Sequence, residues 1–581
     1  MTVVVEAREP SAKYLSALQP PLVRHFELIA TAPGEVARLR ELILTLAVQG
    51  KLVAQNPSDE PASALLKSIQ AEKERLISEG KIKRGKPLVD ILEEEQPFLL
   101  PRGWEWVRLN SLLQKIGAGS TPLGGREVYV PSGVKFLRSQ NVWNDGLRLD
   151  SVAFIKPATH TKMSGTVVLA NDLLFNITGA SIGRCALVPS DFDEANVSQH
   201  VTIVRTMMPE LNEFLHKILV SRHVQQTVMD VQVGVSREGL SIAKLGQFLI
   251  PLPPLAEQSR IVTRVEELMR LCDALEAQGQ LETAQHAQLV QTLLGALTAS
   301  ATSDELADNW QRVATHFGVL LDRPEAIDAL EQTILQLAVR GLLVPQDPND
   351  EPASELLKKI RAEKDRLIAE GKIRRDKPLP PIAEDEKPFE LPVGWERAPL
   401  QHIGYTQTGT TPDKKNPDFY GAHIPFIKPG DIHPGYVDYG NEGLSERGLK
   451  DSGRTAPAGS ILMVCIGTIG KTNIISRDCS FNQQINSLTP LCCVSEFISL
   501  YLRCPGFQSQ AWARSSSTTI SILNKGKWEE IPLALPPLAE QSRIVTRVES
   551  LFRLCADLRQ RLAARQTTQA HLAEALIAEV A

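Results

Sequence analysis

The chain is written twice. The segment from Leu39 to Leu109 recurs from Leu330 to Leu400 at one fixed offset. "LAVQGKLVAQNPSDEPASALLKSIQAEKERLISEGKIKRGKP" returns as "LAVRGLLVPQDPNDEPASELLKKIRAEKDRLIAEGKIRRDKP". Both copies run on into "PF.LP.GWE", at Trp104 and Trp395. Upstream, His25-Phe26 and Pro33 match His316-Phe317 and Pro324, so the repeat reaches nearly to the N-terminus. A second motif, "PPLAEQSRIVTRVE", stands at Pro253–Glu266 and again, letter for letter, at Pro536–Glu549. A repeated sequence is expected to fold the same way twice, so repetition limits the architecture before any single residue is read.

Each copy of the second motif opens a long segment of helical period. Ile261, Val265, Leu268, Cys272 and Leu275 alternate fours and threes, as do Ile544, Val548, Leu551, Cys555, Leu558 and Leu562. That is an a/d seam. The prolines stop what precedes, and acid sits in the first turn. Each helix has room for about 40–45 residues, roughly 60–65 Å. A single helix cannot bury its own seam, so the two are expected to pair.

Between the repeats, at about 110–249 and 401–532, lie two stretches rich in Gly, Pro, Asn, Ser and short β-branched runs. The expected fold is α+β: two mixed α/β domains separated by a pair of long antiparallel coiled-coil helices, in a pseudo-two-fold tandem repeat. The expected division is a helical conserved region at 1–109, a first variable domain at 110–252 and a spacer helix at 253–302. A second helical region then spans 303–400, with a second variable domain at 401–535 and a second spacer helix at 536–581. A length of 581 residues suits several domains.

A net charge of −5 excludes a basic protein that coats nucleic acid non-specifically. Eight cysteines form no C-x-x-C pair and read as reduced, buried thiols. Glu6, Arg8 and Glu9 interrupt the place where a signal peptide would be apolar, and no run approaches a membrane span. A cytoplasmic protein is expected.

The arrangement resembles the specificity subunit of Type I restriction–modification enzymes over nearly the whole chain. The resemblance rests on Pro253–Val262 and Pro536–Val545, on Leu100–Trp104 and Leu391–Trp395, and on the doubled "NDEPASELLK"-like block. It implies that the variable units are target recognition domains. Each would read one half of a bipartite, asymmetric double-stranded DNA sequence, with the helices as spacer. It also implies a chain without a catalytic site that docks two methyltransferase subunits and, in the full enzyme, two motor-nuclease subunits. S-adenosylmethionine, ATP and Mg would then belong to those partners, and this chain would bind no cofactor. The rival from another class is a coiled-coil scaffold with two protein-binding domains.

The residues agree with a non-catalytic reading. An adenine methyltransferase needs an (N/D)-P-P-(Y/F) loop, and Leu252-Pro253-Pro254-Leu255 and Leu535-Pro536-Pro537-Leu538 lack both its polar and its aromatic ends. Gly467-Thr468-Ile469-Gly470-Lys471-Thr472 ends like a phosphate loop, but Cys465 stands where that loop needs glycine. Ala180-Ser181-Ile182-Gly183-Arg184-Cys185 occupies the matching place. What the two share is a tight turn with one cation, suited to DNA contact or to a plain hairpin. No metal cluster or hydrolase triad is spaced for chemistry. Asp59-Glu60 and Asp350-Glu351, ahead of helices, read as caps.

Aligning the variable domains places Thr121-Pro122 on Thr411-Pro412, Arg138 on Lys428 and Asn141 on Asp431, with Gln140 alongside. Asn196, Gln199 and His200 fall near Asn482, Gln483, Gln484 and Asn486. Amides pair with adenine and cations with guanine or phosphate, although Asn is also a turn residue. Ser181, Arg184, Thr468 and Lys471 join this DNA-binding set, completed by Arg237 and Thr518. The runs Lys81–Lys86 and Lys372–Lys377 are solvated helix ends or phosphate contacts.

The heptad pattern is interrupted at Gly279, Glu282 and His286 in the first helix and at Arg565 and Gln569 in the second. An antiparallel pair would set Glu282 and His286 against Gln569 and Arg565, Leu275 against Leu576, and Leu289 against Leu562. The competing register sets Glu282 near Cys555.

Overall fold

The computed structural model describes residues 35–82, 84, 88–233, 239–300, 303–387, 389–451, 454–517 and 520–580. His25, Phe26, Pro33, Lys83, Lys86, Arg237 and Thr518 lie outside the described residues, as does the side chain of Leu576. The chain divides into two compact units. The first runs to Leu281 and includes Gln566–Ala581, and the second is Glu282–Arg565.

In the first unit, α1 (Glu35–Val48) buries the stripe Leu39, Leu42, Ile43 and Leu46. It stops at Gly50, whose φ of +70° L side chains rarely adopt. α2 (Ala62–Ser78) follows Pro61. β1 (Glu105–Arg108) leads into β2 (Leu113–Ala118), β3 (Val134–Leu137), β4 (Leu173–Asn176), β5 (Cys185–Leu187), β6 (Ala195–Val197) and β7 (Val201–Thr206). One antiparallel sheet has the order β5-β4-β7-β2, and in a second sheet β3 lies parallel to β6. α3 (Asn212–Val220) covers the first sheet, where Leu174 and Phe175 are fully buried. β8 (Leu249–Leu252) returns to pair with β1, and α4 (Leu255–Ala299) starts there.

The second unit repeats the plan. α5 (Pro324–Val339) stops at Gly341 with φ +73°, and α6 (Ala353–Ala369) follows Pro352. Then come β9 (Glu396–Pro399), β10 (Gly404–Thr408), β11 (Tyr420–Ile427), β12 (Ile461–Val464), β13 (Thr472–Ile474), β14 (Cys479–Phe481) and β15 (Ile485–Pro490). The sheet order β10-β15-β12-β13 is the first unit's order reversed in writing, and β11 lies parallel to β14. α7 (Ser495–Arg503), β16 (Pro532–Leu535, paired with β9) and α8 (Leu538–Val580) complete it.

The repeated letters become repeated bonds. Glu257, 1% exposed, accepts from the Trp104 indole at 3.1 Å and the Gln55 amide at 2.7 Å. Glu540, also 1% exposed, accepts from Trp395 at 3.0 Å and Gln346 at 3.2 Å. Burial raises the pKa of both carboxyls, against the lowering effect of these bonds. Gln258 and Gln541 donate to Pro253 and Pro536 in the turn before each helix. Arg260 and Arg543 each reach a carboxylate at 2.6 Å, Asp59 and Asp350. The expectation that these two aspartates cap helices is therefore corrected. Pro61 and Pro352 occupy the cap positions, without side-chain bonds, and each Asp ties its head to the arginine of "AEQSR".

The two long helices span 45 and 43 residues, and the division between units falls within both. In each unit the amino-terminal part of one accompanies the carboxy-terminal part of the other, as an antiparallel pair requires. Ile261, Val265, Leu268 and Cys272 are buried, as are Ile544, Val548 and Cys555, while Leu275, Leu551, Leu558 and Leu562 are half-buried. Beyond the middle the stripe departs from the heptad count. Leu289 is 47% exposed while Val290, Leu294 and Leu297 are buried; Leu572 is 46% exposed while Ala573 is buried. The slip is one residue in both helices. A straight helix at 3.6 residues per turn drifts about 20° per heptad, so four heptads rotate a strict a/d count by about 80° off the stripe. Glu282 receives Arg323 at 3.4 Å, and His286 lies 3.2 Å from Asp322 and 3.1 Å from the Val319 carbonyl. These polar positions face the segment ahead of α5. Arg565 is exposed and Gln569 half-buried.

Candidate nucleic-acid interface

Strand register gathers one set of loops at one edge of each variable domain. In the first unit Ala118 pairs with Thr202, Asn176 with Val201, and Leu137 with Val197. Residues 119–122, 138–148, 177–184 and 198–200 therefore leave from the same edge. In the second unit Thr408 pairs with Asn486, Val464 with Ile485, and Ile427 with Phe481, which gathers 409–412, 428–438, 465–471 and 482–484.

The amide cluster divides by burial. Gln199 and His200 are exposed. The Thr121 hydroxyl donates to Gln199, whose amide nitrogen lies 3.0 Å from His200; His200 in turn meets the Thr178 hydroxyl at 2.6 Å. The second domain repeats this start, with Thr411 donating to the exposed Gln483, and half-buried Gln484 stands where His200 does. Asn196 is fully buried, bonded to His160, the Met163 carbonyl and Thr166. Asn486 is 2% exposed between Thr408 and Cys465. Asn482 is buried and exchanges bonds with Gln484. These three asparagines are buried and bonded to their own loops and neighbouring strands, which departs from the exposed edge expected of a base contact.

Asn141 and Asp431 are corrected likewise. Asn141, 1% exposed, accepts from the Arg138 backbone at 3.0 Å and donates to the Arg148 carbonyl at 2.9 Å. Asp431 accepts from the Lys428 backbone at 2.7 Å and from the Asn441 amide at 2.7 Å. Both close the base of a short hairpin. Beside them Arg138 donates to the Ser151 carbonyl, exposed Gln140 lies 3.4 Å from the Ser151 hydroxyl, and Lys428 pairs with Glu442 at 2.5 Å.

The phosphate-loop look-alike is a hairpin turn. The Gly470 amide donates to Val464 and the Gly183 amide to Asn176, so neither is free to bind phosphate. Gln508 and Gln225 donate to the carbonyls of the same two glycines. Lys471 donates to the Pro429 carbonyl at 2.8 Å, and the Arg184 guanidinium lies 3.7 Å from the centre of the Trp143 ring. Ser181 accepts from Asn176, and Thr468 is exposed at the turn. In the basic runs Lys81 pairs with Glu79 and Lys372 with Glu370, while Arg374, Arg375 and Lys377 are exposed. Cys492 departs from the expectation of buried thiols: it is exposed, with φ +55°.

Each unit also carries a hairpin tip at this edge, outside the predicted set. Trp143 and Gly146 face each other across one, His433 and Tyr436 across the other. The Asn144-Asp145-Gly146 and Pro434-Gly435 turns were the available signal, with positive φ at Gly146 and Gly435.

Among the described residues no group of His, Cys, Asp and Glu is placed to hold a metal ion, and no helix is long and apolar enough to cross a membrane. The Type I restriction modification DNA specificity domain matches residues 101–285 and 392–565. The chain is 36% identical over 566 residues to the Type I restriction enzyme EcoEI specificity subunit of Escherichia coli, covering 93% of each. It is 36% identical over 570 residues to the EcoAI specificity subunit of the same organism, again covering 93% of each. A solved structure described as showing complex assembly and conformational transition of the type I R-M system aligns at TM-score 0.47 and 19% identity, over 83% of this chain and 99% of that one. The doubled domain match and the full-length relatives agree with the doubled frame, and the chain belongs to the Type I restriction–modification specificity subunit family.

Proposed function

We propose that this chain is the DNA sequence-recognition subunit of a Type I restriction–modification complex. Each variable domain reads one half of a bipartite, asymmetric duplex target, and the long helices set the gap. The observation that carries this is the pairing of one bonded frame, present twice, with two different sets of exposed loops at equivalent sheet edges. A frame whose bonds recur in both units presents two readers in equivalent sockets. The same chain, without catalytic residues of its own, docks two methyltransferase subunits, and with two motor-nuclease subunits forms the restriction enzyme. S-adenosylmethionine, ATP and Mg are bound by those partners, in the cytoplasm. Membership of the specificity-subunit family favours this over a protein-binding scaffold.

The test is selection from a random duplex pool with the full chain and its methyltransferase partner, followed by sequencing. Two short specific blocks with a fixed gap are expected. Replacing residues 110–249 by another recognition domain should change one block and leave the other and the gap intact. Methyl transfer by the chain alone, or a swap that changes both blocks, would overturn the reading.

A further inference from the structure

The two hairpins at the loop edge differ most where they are most exposed. In the first, the guanidiniums of Arg148 and Arg184 each lie 3.7 Å from the centre of the Trp143 ring. A planar guanidinium at that distance covers one ring face, so the two arginines occupy opposite faces. The indole is thus no platform for stacking a base. It is a rigid spacer that fixes two forks about 7 Å apart, close to two base-pair steps of duplex DNA. Arg148 is 52% exposed, and its carboxylate neighbour, Asp145, sits at 3.4 Å and is itself 73% exposed. Among the described residues no carboxylate pairs with Arg184. Arg184 therefore keeps its hydrogen-bonding edge, and Arg148 keeps all of its fork but the Nη2 bond to the exposed Asp145.

The foundation is stiff. Asn141 bonds both ends of the hairpin, the Arg148 amide returns a bond to the Asn141 carbonyl at 2.9 Å, and the Asn144 side chain accepts from the Cys185 backbone at 3.0 Å. The Trp143 indole nitrogen donates to the Gln140 carbonyl at 2.9 Å. In the second domain Asp431 takes the place of Asn141, and the Asn473 side chain donates to the His433 carbonyl at 2.9 Å. The tip there is an aromatic pair: His433 and Tyr436 stack at 4.6 Å with 17° between planes, and Tyr436 is 60% exposed. One tip offers two cationic forks; the other offers a hydroxyl and flat aromatic surface.

We infer that these hairpin tips, 142–147 with Arg148 and Arg184 in the first domain and 432–437 in the second, are the elements that read base edges and make the two half-sites different. The inference rests on the DNA-recognition reading above. Forks held on an indole suit acceptor-rich edges such as the O6 and N7 of guanine, and resting each guanidinium on the ring before binding lowers the entropy lost on binding. The aromatic pair suits apolar contact and a single hydroxyl bond.

The experiment is the same duplex selection, run on the full chain with its methyltransferase partner, for wild type, Arg148→Ala, Arg148→Lys and Tyr436→Ala. Arg148 and Tyr436 are exposed, so these variants fold. Arg148→Ala is expected to erase preference at one or two positions of one half-site, with on the order of ten- to a hundredfold loss of discrimination there. Arg148→Lys keeps the charge without the fork and should relax the same positions. Tyr436→Ala should alter only the other half-site. Unchanged half-sites in all three variants would overturn the inference and leave the recognition reading standing. A uniform affinity loss with a smaller salt slope and an unchanged target would also overturn it, by making the tips phosphate contacts. A wild-type chain that selects no target would overturn the recognition reading and this inference with it.

Discussion

Glu257 and Glu540 accept the same two hydrogen bonds, from the same residue types, in two units of one chain. At the other end of each domain, Trp143 lies between two arginines while His433 stacks on a tyrosine. The difference teaches what each region is constrained by. A buried carboxylate must find donors, and each donor it takes must in turn be placed, so one substitution there breaks several bonds at once. A solvated tip carries no such obligation, and its chemistry can change without disturbing the frame.

The largest expected effect tests whether the two frames are equivalent. Trp104→Ala and Trp395→Ala each delete a 5%-exposed indole and leave a buried glutamate short of a donor. Each should cost about 3–5 kcal/mol in its own unit. A chain of several domains does not unfold in one step, so the measurement is peptide-resolved hydrogen exchange. Exposure confined to the mutated unit and of similar size in both variants is expected. A loss in one unit only would break the equivalence.

His216 breaks the comparison from inside the core. It is the fifth residue of α3, and the fifth residue of α7 is Ser499. Burial, with a smaller push from Lys217, drives the His216 imidazole down to about 4, against the raising effect of its 3.0 Å bond to the Cys185 carbonyl. The folded-state pKa lies below the ordinary value near 6.5, so the unfolded chain binds the extra proton. The stabilisation is complete above about pH 6.5 and is lost as pH falls from there toward 4, up to about 3 kcal/mol. His216→Ser should flatten this acid sensitivity of the first unit, read as exchange at pH 7 against pH 5. An equally steep profile in the variant would assign it to other groups.

Gly50→Ala and Gly341→Ala probe the frame more gently. Both glycines have φ near +70°, and an added Cβ would stand 2.5 Å from Pro101 Cγ in one unit and 2.6 Å from Pro392 Cγ in the other. Each should cost about 2 kcal/mol, in equal measure, by denaturant-dependent exchange. Unequal costs would show that the heads pack differently despite their shared letters.

What was legible in the sequence follows the same division. The repeated blocks announced the heads, the helix starts and the order of parts, because repeated bonds need repeated letters. The function of individual letters was not legible. Asp59 and Asp350 read as caps because proximity to a helix start is a local signal, whereas Arg260 and Arg543 are some 200 positions away. Asn141, Asn196 and Asn486 read as base contacts because an amide looks the same buried or exposed, and only the sheets decide which. The seam was legible for its first half and slipped by one residue at Leu289 and Leu572, where rotational drift accumulates beyond what a 4-3 count follows. Trp143 is not legible as a site because, of its two flanking arginines, only Arg148 is near in sequence, and Arg184 comes from the turn ahead of β5.

The smallest expected effect concerns the turn cations, Arg184 and Lys471. Both sit at the same turn, yet one stacks on an indole and the other is tied to the Pro429 carbonyl. Arg184→Ala forfeits a cation–π contact of about 0.5–1 kcal/mol. Lys471→Ala forfeits one charge-assisted bond whose carbonyl partner, half-exposed, recovers water, a net loss of about 1 kcal/mol or less. Stability therefore barely separates them, and DNA binding does. The Lys471 ammonium spends one of its three protons on the fold, so a phosphate contact would have to come from the other two. Arg184 uses its face on Trp143 and keeps all of its N–H edges. If the tips read bases, Arg184→Ala should relax one half-site by roughly 1–3 kcal/mol, while Lys471→Ala leaves the target unchanged and lowers the salt slope by about one. A salt titration of binding for both variants, run beside the duplex selection, decides it. Equal slopes and unchanged targets for both would reduce the two cations to turn residues, and the contrast between the domains would then rest on Trp143 and Arg148 against His433 and Tyr436 alone.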